Sequence, residues 1–162
     1  MSAPASNSQN TPTVLIVDPD SAGRQRLSSI FEDAGYRALM ATDAPAALRV
    51  LSEDRCDLVI LDLEMPEGEG LALCRLLRAQ PRTTNMPVIA LSDNDRESHI
   101  TAALAAGADD YIAKPSTPGE IVSRASSRLR AVQREWVLTG SNRELRFLAD
   151  LGRGLLRALE PE

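Results

Sequence analysis

Short aliphatic runs alternate with amphipathic stretches along most of the chain. Two of the runs, residues 14–17 and 58–61, are entirely apolar, and each continues directly into an aspartate. Apolar runs of this length between polar residues are typical of strands that are buried on both faces of a parallel sheet. Weaker runs of the same kind occupy residues 36–41, 88–91 and 111–113. The pattern therefore predicts five strands.

Apolar residues at helical spacing follow these runs. After the first run, Leu27, Ile30 and Phe31 recur at such intervals, and the stretch stops at Gly35. The last run is followed by a longer helix, which is predicted over residues 117–138. Regular alternation of strands and helices predicts the α/β class. The fold is expected to be a doubly wound, flavodoxin-like sheet of five parallel strands, built as (βα)5 with an extended C-terminal helical tail.

Polar side chains follow four of the predicted strands. Asp18 and Asp20 follow the first, Asp62 the third, Ser92 the fourth and Lys114 the fifth. Because the carboxyl ends of parallel strands meet at one edge, these side chains are expected to converge. Crowded carboxylates repel one another unless a hard cation lies between them, so the set suits a phosphoryl group with Mg²⁺. Asp62 is the natural attacking group, and capping of the next turn is its alternative role.

The motifs VLIVDPD, LVILDLEMPEGEG, PVIALS and GADDYIAKP occur in this order. With their spacing, they resemble the receiver domain of two-component response regulators over residues 13–137. The resemblance implies that Asp62 is the phosphoacceptor for a sensor histidine kinase, and that Ser92 and Lys114 bind the acyl phosphate. It also places Tyr111 at the aromatic switch position, which works with Ser92. That switch couples phosphorylation to the surface of the fourth helix, fifth strand and fifth helix.

The resemblance also implies a Mg²⁺ site with one departure from the family. Its implied ligands are Asp18, Asp62 and the backbone carbonyl of Glu64. The family has a second acidic residue directly after the first, but Pro19 stands there and has neither a carboxylate nor an N–H. Asp20 is expected to N-cap the first helix, and it reaches the metal only if the loop bends differently. The side chain of Glu64 is the other replacement. One charged ligand fewer predicts weak Mg²⁺ binding and slow or absent phosphorylation.

The C-terminal segment, residues 138–162, carries a leucine pattern of its own. It begins with a capping box and predicts an amphipathic helix, either a linker or a dimerisation tail. Pairing with a second chain as a coiled-coil homodimer would bury its stripe, and folding back on the domain is the alternative. The segment also weakly resembles the lead-in helix of a GAF domain, which implies a downstream output domain outside this chain. The predicted dimerisation residues are Leu129, Val132, Trp136, Leu145, Leu148, Leu155 and Leu159.

The composition limits the classes of partner. Aromatic residues make up 3% of the chain and the net charge is -5, which argues against a nucleic-acid partner. No run has transmembrane length, and residues 1–12 lack a signal-peptide pattern, so we expect a disordered leader, no membrane partner and a cytoplasmic location. Cys56 and Cys74 are expected to be free thiols, and His99 a surface residue.

Two other functions fit parts of the sequence. The first is a pseudo-receiver that signals through protein contacts without phosphorylation, and Pro19 supports it. The second is a haloacid-dehalogenase-type phosphatase, because Asp18 and Asp20 form a DxD motif. That family has its lysine before the second acidic motif, whereas Lys114 follows it here, and Asp62 is left unexplained. We therefore predict a phosphoacceptor domain and not an enzyme. Too few residues follow the last strand to predict a DNA-binding output domain.

Overall fold

Five parallel strands form a single sheet in the computed structural model, which describes residues 11–132 and 134. The strands are β1 (Thr13–Val17), β2 (Arg37–Ala41), β3 (Leu58–Asp62), β4 (Val88–Ser92) and β5 (Asp110–Ala113). They pair in the order β2-β1-β3-β4-β5, which is a doubly wound arrangement. The predicted fold class is confirmed, and each strand differs from its predicted run by one residue at one end.

A helix follows each strand. The helices are α1 (Ser21–Asp33), α2 (Ala44–Glu53), α3 (Glu69–Ala79), α4 (Glu97–Ala105) and α5 (residues 118–132). Aspartates begin the first two, because the Asp20 carboxylate accepts from Gly23 N at 2.9 Å and the Asp43 carboxylate from Ala46 N at 2.8 Å. The expected N-cap role of Asp20 is thus confirmed. A 3₁₀ turn, Pro66–Gly68, leads from β3 into α3.

The sheet has an apolar core on each face, because successive residues of a strand point to opposite sides. Leu15 and Val59 face the core that is covered by α2, α3 and α4, whereas Ile16 and Ile60 face the core under α1 and α5. Strands β1, β3 and β4 are buried along their whole length. A polar side chain at the tip of one of these strands therefore has protein behind it and solvent only in front.

Both cysteines belong to the core that is covered by α2, α3 and α4. Cys56 and Cys74 are unpaired, as predicted, and both are buried. Burial raises the pKa of Cys56 to about 11 and also raises the pKa of Cys74. Both thiols are therefore protonated at neutral pH and act as small apolar side chains.

The chain divides into two compact units, Met1–Leu129 and Arg130–Glu162. The strands and α1 to α4 belong to the first unit. Of the second unit only residues 130–132 and 134 are described, and they are helical. Most of the predicted leader, residues 1–10, lies outside the described part of the chain. Within that part, no helix is long and apolar enough to cross a bilayer.

One residue of the predicted dimerisation stripe has a different partner. Leu129 packs against the core under α1 and α5, so it belongs to the packing of its own domain. The heptad-like pattern did not distinguish the part of α5 that covers the sheet from the part beyond it. Val132 is helical and lies in the second unit. Trp136 and the leucines after it lie outside the described residues.

Candidate functional site

The structure brings four of the predicted site residues to one edge of the sheet. Asp18 follows β1, Asp62 ends β3 and Ser92 ends β4, and these three residues are 2%, 3% and 0% exposed. Lys114 follows β5, and its N–H donates to the carbonyl of Ser92 at 2.8 Å, which extends the pairing of β4 and β5 by one residue. The peptide bond between Lys114 and Pro115 is cis. The convergence of strand ends therefore occurs as the parallel sheet requires.

Both oxygens of the Asp62 carboxylate have partners. Oδ1 accepts from the N–H of Glu64 at 2.8 Å, and Oδ2 accepts from the ammonium group of Lys114. Burial lowers the pKa of Lys114, but the hydrogen bond to Asp62 and the charges of Asp62 and Asp18 outweigh it and raise the pKa overall. Lys114 is therefore cationic throughout the neutral range and neutralises the buried Asp62 carboxylate.

Asp18 is the less well compensated of the two buried acids. Burial raises its pKa, and the charge of Asp62 adds to the rise, while a hydrogen bond from the N–H of Asp20 opposes it. That N–H lies 2.8 Å from Asp18 Oδ1. A Cβ at Gly23 would lie 2.4 Å from Asp18 Oδ2, so any larger residue at this position in the first turn of α1 would force this carboxylate to shift. The site holds an excess of negative charge around Asp18.

The loop between β1 and α1 confirms that Asp20 is committed to the helix. Its carboxylate accepts from Gly23 N, as described above. The guanidinium of Arg24 donates to the carbonyls of Asp18 at 2.8 Å and Pro19 at 3.0 Å. Arg24 was not predicted as a site residue, because an arginine that binds backbone carbonyls leaves no motif in the sequence. These contacts anchor the loop in a form that directs Asp20 to the helix start.

The donor set fits a divalent cation, but with few anionic ligands. Within the described ranges, no three His, Cys, Asp or Glu side chains are grouped for metal binding. Asp18 and Asp62 are the two buried carboxylates of the site, and Asp20, which lines the same cavity as Asp18, is used as the helix cap. Burial, together with the nearby charge of Asp62, raises the pKa of Asp18, and a bound cation would favour its ionised form. The family's usual second acidic position is Pro19, which offers no side-chain oxygen.

The carboxylate of Glu64 binds Ser92 instead of turning toward the two aspartates. Ser92 Oγ donates to Glu64 Oε1 at 2.7 Å, and the N–H of Asp93 donates to the same oxygen at 3.1 Å. The hydrogen bond from Ser92 is the main cause that lowers the pKa of Glu64. The interpretation of the Glu64 side chain as a replacement metal ligand stays a prediction, and it would require the carboxylate to give up both of these bonds. In the structure, the Glu64 carboxylate accepts from both the Ser92 hydroxyl and the Asp93 N–H.

Tyr111 is joined to the loop between β4 and α4. Its hydroxyl donates to the carbonyl of Asn94, and the N–H of Asn94 donates to Ser92 Oγ at 3.1 Å. The ring of His99 meets the ring of Tyr111 edge to face, with centroids 6.2 Å apart. His99 is half-buried, and its Nε2 has no hydrogen-bond partner among the described residues. The prediction of a surface histidine was wrong, because this contact with Tyr111 shelters it.

A cavity of about 320 Å³ borders the site on the side of α1. Its charged lining residues are Asp18, Asp20, Arg26 and Lys114. Arg26 Nη2 donates to the carbonyl of Ser116 at 3.2 Å, which links α1 to the segment after β5. Ser116 also lines the cavity, and the larger apolar lining residues are Leu27, Leu91 and Ile121.

This geometry agrees with comparisons with known proteins. The sequence profile of the response regulator receiver domain matches residues 14–126. The chain therefore belongs to the response regulator receiver domain family. Members of this family are phosphoryl-accepting signalling modules of two-component systems, so the haloacid-dehalogenase alternative is set aside.

Curated relatives are transcriptional and respiratory regulators. The transcriptional regulatory protein GltR of Pseudomonas aeruginosa is 33% identical over 126 residues, which cover 78% of this chain and 52% of the relative. The aerobic respiration control protein ArcA of Escherichia coli is 41% identical over 119 residues, which cover 74% of this chain and 49% of ArcA. The chain thus spans about half the length of these relatives.

Solved structures of receiver domains have the same fold. The signal receiver domain of a histidine kinase from Syntrophus aciditrophicus has a TM-score of 0.71 and 35% identity, and the match covers 76% of this chain and 94% of that one. A CheY-like receiver domain protein from Methanospirillum hungatei has a TM-score of 0.71 and 26% identity, with coverage of 77% and 98%.

The uncompensated charge of Asp18 leads to a stability prediction. Asp18→Asn is expected to raise the free energy of unfolding near neutral pH by on the order of 1 kcal/mol in the absence of divalent cations. A raised folded-state pKa means that the native state binds the proton more tightly than the unfolded chain. The wild type therefore gains stability as the pH falls through that pKa, and its difference from the variant shrinks. Urea unfolding at several pH values measures both effects.

The exposed Asp93 provides the control for this series, because Asp93→Asn removes the same charge outside the buried pocket. It is expected to change stability by less than about 0.5 kcal/mol. A wild type that is as stable as Asp18→Asn near neutral pH, or more stable, would contradict the prediction.

Proposed function

We propose that this chain accepts a phosphoryl group on Asp62 from a sensor histidine kinase and relays the change to a protein partner. The observation that supports this most directly is the environment of Asp62. Its carboxylate is 3% exposed at the tip of β3 and is held by the ammonium group of Lys114. Ser92 lies at the tip of the neighbouring strand, and the two strands pair directly. A nucleophile, a cation and a hydroxyl donor are thus next to one another.

The contacts of the Asp62 carboxylate support Oδ2 as the oxygen that reacts in this proposal. The N–H of Glu64 is a backbone group and stays on Asp62 Oδ1, whereas Lys114 can release Oδ2 by turning its flexible side chain. Oδ2 then attacks phosphorus and forms the P–O bond while the P–N bond to the donor histidine breaks. The electron pair stays on the imidazole nitrogen, which takes a proton from solvent. Lys114 transfers its hydrogen bond to a phosphoryl oxygen, where charge develops.

Asp18, Asp62 and the backbone carbonyl of Glu64 would hold Mg²⁺ in this site. The cation, when bound, neutralises charge between the acceptor and the phosphoryl oxygens. Two carboxylates instead of three make weak binding the expected state of this chain. If the cation is bound too weakly for phosphorylation, the domain acts as a pseudo-receiver, and its contacts with a partner do not depend on Asp62.

The relay passes through the loop after β4. The Ser92 hydroxyl turns to a phosphoryl oxygen, and the N–H of Asn94, which binds Ser92 Oγ, follows it. The carbonyl of Asn94 holds the hydroxyl of Tyr111, so a shift of Asn94 releases or redirects that ring. Tyr111 belongs to β5, between α4 and α5 along the chain, and its movement changes the surface of α4, β5 and α5.

The phosphoacceptor assignment is tested by labelling. Wild-type protein with saturating Mg²⁺ and a small acyl phosphate is expected to gain one phosphoryl group, measured by intact mass, and Asp62→Asn is expected to gain none. Asp95→Asn, which removes an exposed carboxylate near the same edge of the sheet, is the control and should label like the wild type. Equal labelling of the wild type and Asp62→Asn would refute the assignment.

The missing ligand is tested at Pro19. Pro19→Asp places a carboxylate at the position where the family has its second acidic residue. It is expected to tighten Mg²⁺ binding by about five- to tenfold, because hard cations depend on anionic oxygen. Pro19→Ala also removes the proline ring but adds no charge, and it should leave the affinity close to that of the wild type. Isothermal titration with Mg²⁺ gives the dissociation constants. Equal effects of alanine and aspartate would show that loop flexibility, not ligand number, limits binding.

The leucine stripe beyond α5 is proposed to pair two chains. Leu145, Leu148 and Leu155 recur at helical spacing, and an amphipathic helix needs a partner surface that buries such a stripe. Leu148→Glu is expected to convert a dimer to a monomer, as measured by light scattering, because it places a charge inside the seam. Arg146→Glu changes charge outside the stripe and should leave the dimer intact. A monomeric wild type at all accessible concentrations would refute the proposal.

A further inference from the structure

The hydroxyl of Ser92 carries one proton and can donate only one hydrogen bond. In the structure this bond goes to Glu64 Oε1 at 2.7 Å. The same hydroxyl is assigned to a phosphoryl oxygen in the phosphorylated protein, so the two acceptors compete for one donor. The contact with Glu64 is charge-assisted and short, which makes it stronger than a bond between neutral groups.

Glu64 also holds the next residue of the loop. The N–H of Asp93 donates to the same Oε1 at 3.1 Å, so one carboxylate oxygen binds two consecutive residues after β4. Meanwhile the backbone N–H of Glu64 binds the acceptor carboxylate at Asp62 Oδ1. Glu64 is therefore tied to the acceptor through its backbone and to the switch loop through its side chain.

We propose that the Glu64 carboxylate is a latch that holds Ser92 and Asp93 in the unphosphorylated arrangement until a phosphoryl group on Asp62 displaces it. The inference rests on the proposed function of Asp62. A phosphoryl group repels the Glu64 carboxylate and offers Ser92 a second acceptor, so the bonds from Ser92 and Asp93 break together. Glu64 is a positioning residue in this account, because it acts through Ser92 and does not touch the phosphorus.

The latch carries a cost for activation. Before Ser92 can bind a phosphoryl oxygen, the protein has to give up two hydrogen bonds to a carboxylate. A phosphoryl group or its analogue therefore binds more weakly than it would to a site in which the Ser92 hydroxyl is free. Loss of the latch should raise affinity for a phosphoryl analogue and shift the loop toward the activated arrangement even without a ligand.

Beryllofluoride with saturating Mg²⁺ is the probe. Glu64→Gln removes the charge, and Glu64→Asp keeps the charge but shortens the side chain by one methylene, so that it no longer reaches Ser92. Both variants are expected to bind beryllofluoride about fivefold more tightly, or better. Glu67→Gln changes an exposed acid of the same loop and should match the wild type. Asp62→Asn is the negative control, because any beryllofluoride binding that it retains does not depend on the acceptor carboxylate.

The same substitutions in a Ser92→Ala protein distinguish a latch on Ser92 from charge repulsion between Glu64 and the bound beryllofluoride. With Ser92→Ala, the change Glu64→Gln is expected to alter affinity by less than about twofold, because the bond from the serine hydroxyl is already absent and only the longer bond from the Asp93 N–H remains. An equal gain with and without the serine hydroxyl would overturn the proposal, since Glu64 would then act by charge alone. An unchanged affinity of Glu64→Gln and Glu64→Asp, while the wild type binds through Asp62, would overturn the latch and leave the proposed function standing.

The resting state provides an independent measurement. In amide NMR spectra without ligand, the Asp93 resonance of Glu64→Asp should move toward its position in the beryllofluoride complex, while Glu67→Gln leaves it in place. Dispersion of the other amides shows that each variant is folded. An unmoved Asp93 resonance would overturn the latch. If the wild type does not bind beryllofluoride but Glu64→Gln does, the latch is supported in its strongest form, and if neither binds, both proposals fall.

Discussion

The ion pair between Asp62 and Lys114 is the interaction on which the site depends. A carboxylate with almost no exposed surface at the end of an apolar strand is costly unless it is neutralised and hydrogen-bonded. The positive charge is the ammonium group of Lys114, which follows β5, and β4 lies between β5 and the strand that carries Asp62. Lys114 reaches Asp62 because its backbone continues the pairing of β5 with Ser92. The register that pairs β5 with β4 therefore also brings in the charge that neutralises the acceptor carboxylate.

The same edge of the sheet contains charge that the fold alone does not balance. Asp18 lies under the first turn of α1, close to Asp62, and its raised pKa shows that ionisation is unfavourable there. An acid in this place costs folding free energy, and the cation of the proposed site would offset that cost.

Much of this arrangement can be predicted from the sequence, because it depends on periodicity. Apolar runs define the strands, and parallel strands bring Asp62, Ser92 and Lys114 together whatever the details of the loops. The side-chain partner of Glu64 could not be predicted, since it depends on one rotamer in a loop. The role of Asn94 depends on its backbone carbonyl and N–H, which carry no signal in the residue type. A stripe of apolar residues likewise cannot reveal that Leu129 packs inward.

The second acid after β1, Asp20, stands one residue later than in the family pattern, and this displacement changes the role of its carboxylate. At the N-terminus of a helix, a carboxylate stabilises free N–H groups and the positive end of the helix dipole by about 1 kcal/mol. Asp20 serves α1 in this way. A carboxylate that caps the helix strengthens the start of α1, and it fixes the form of the loop between β1 and α1 without a bound ion.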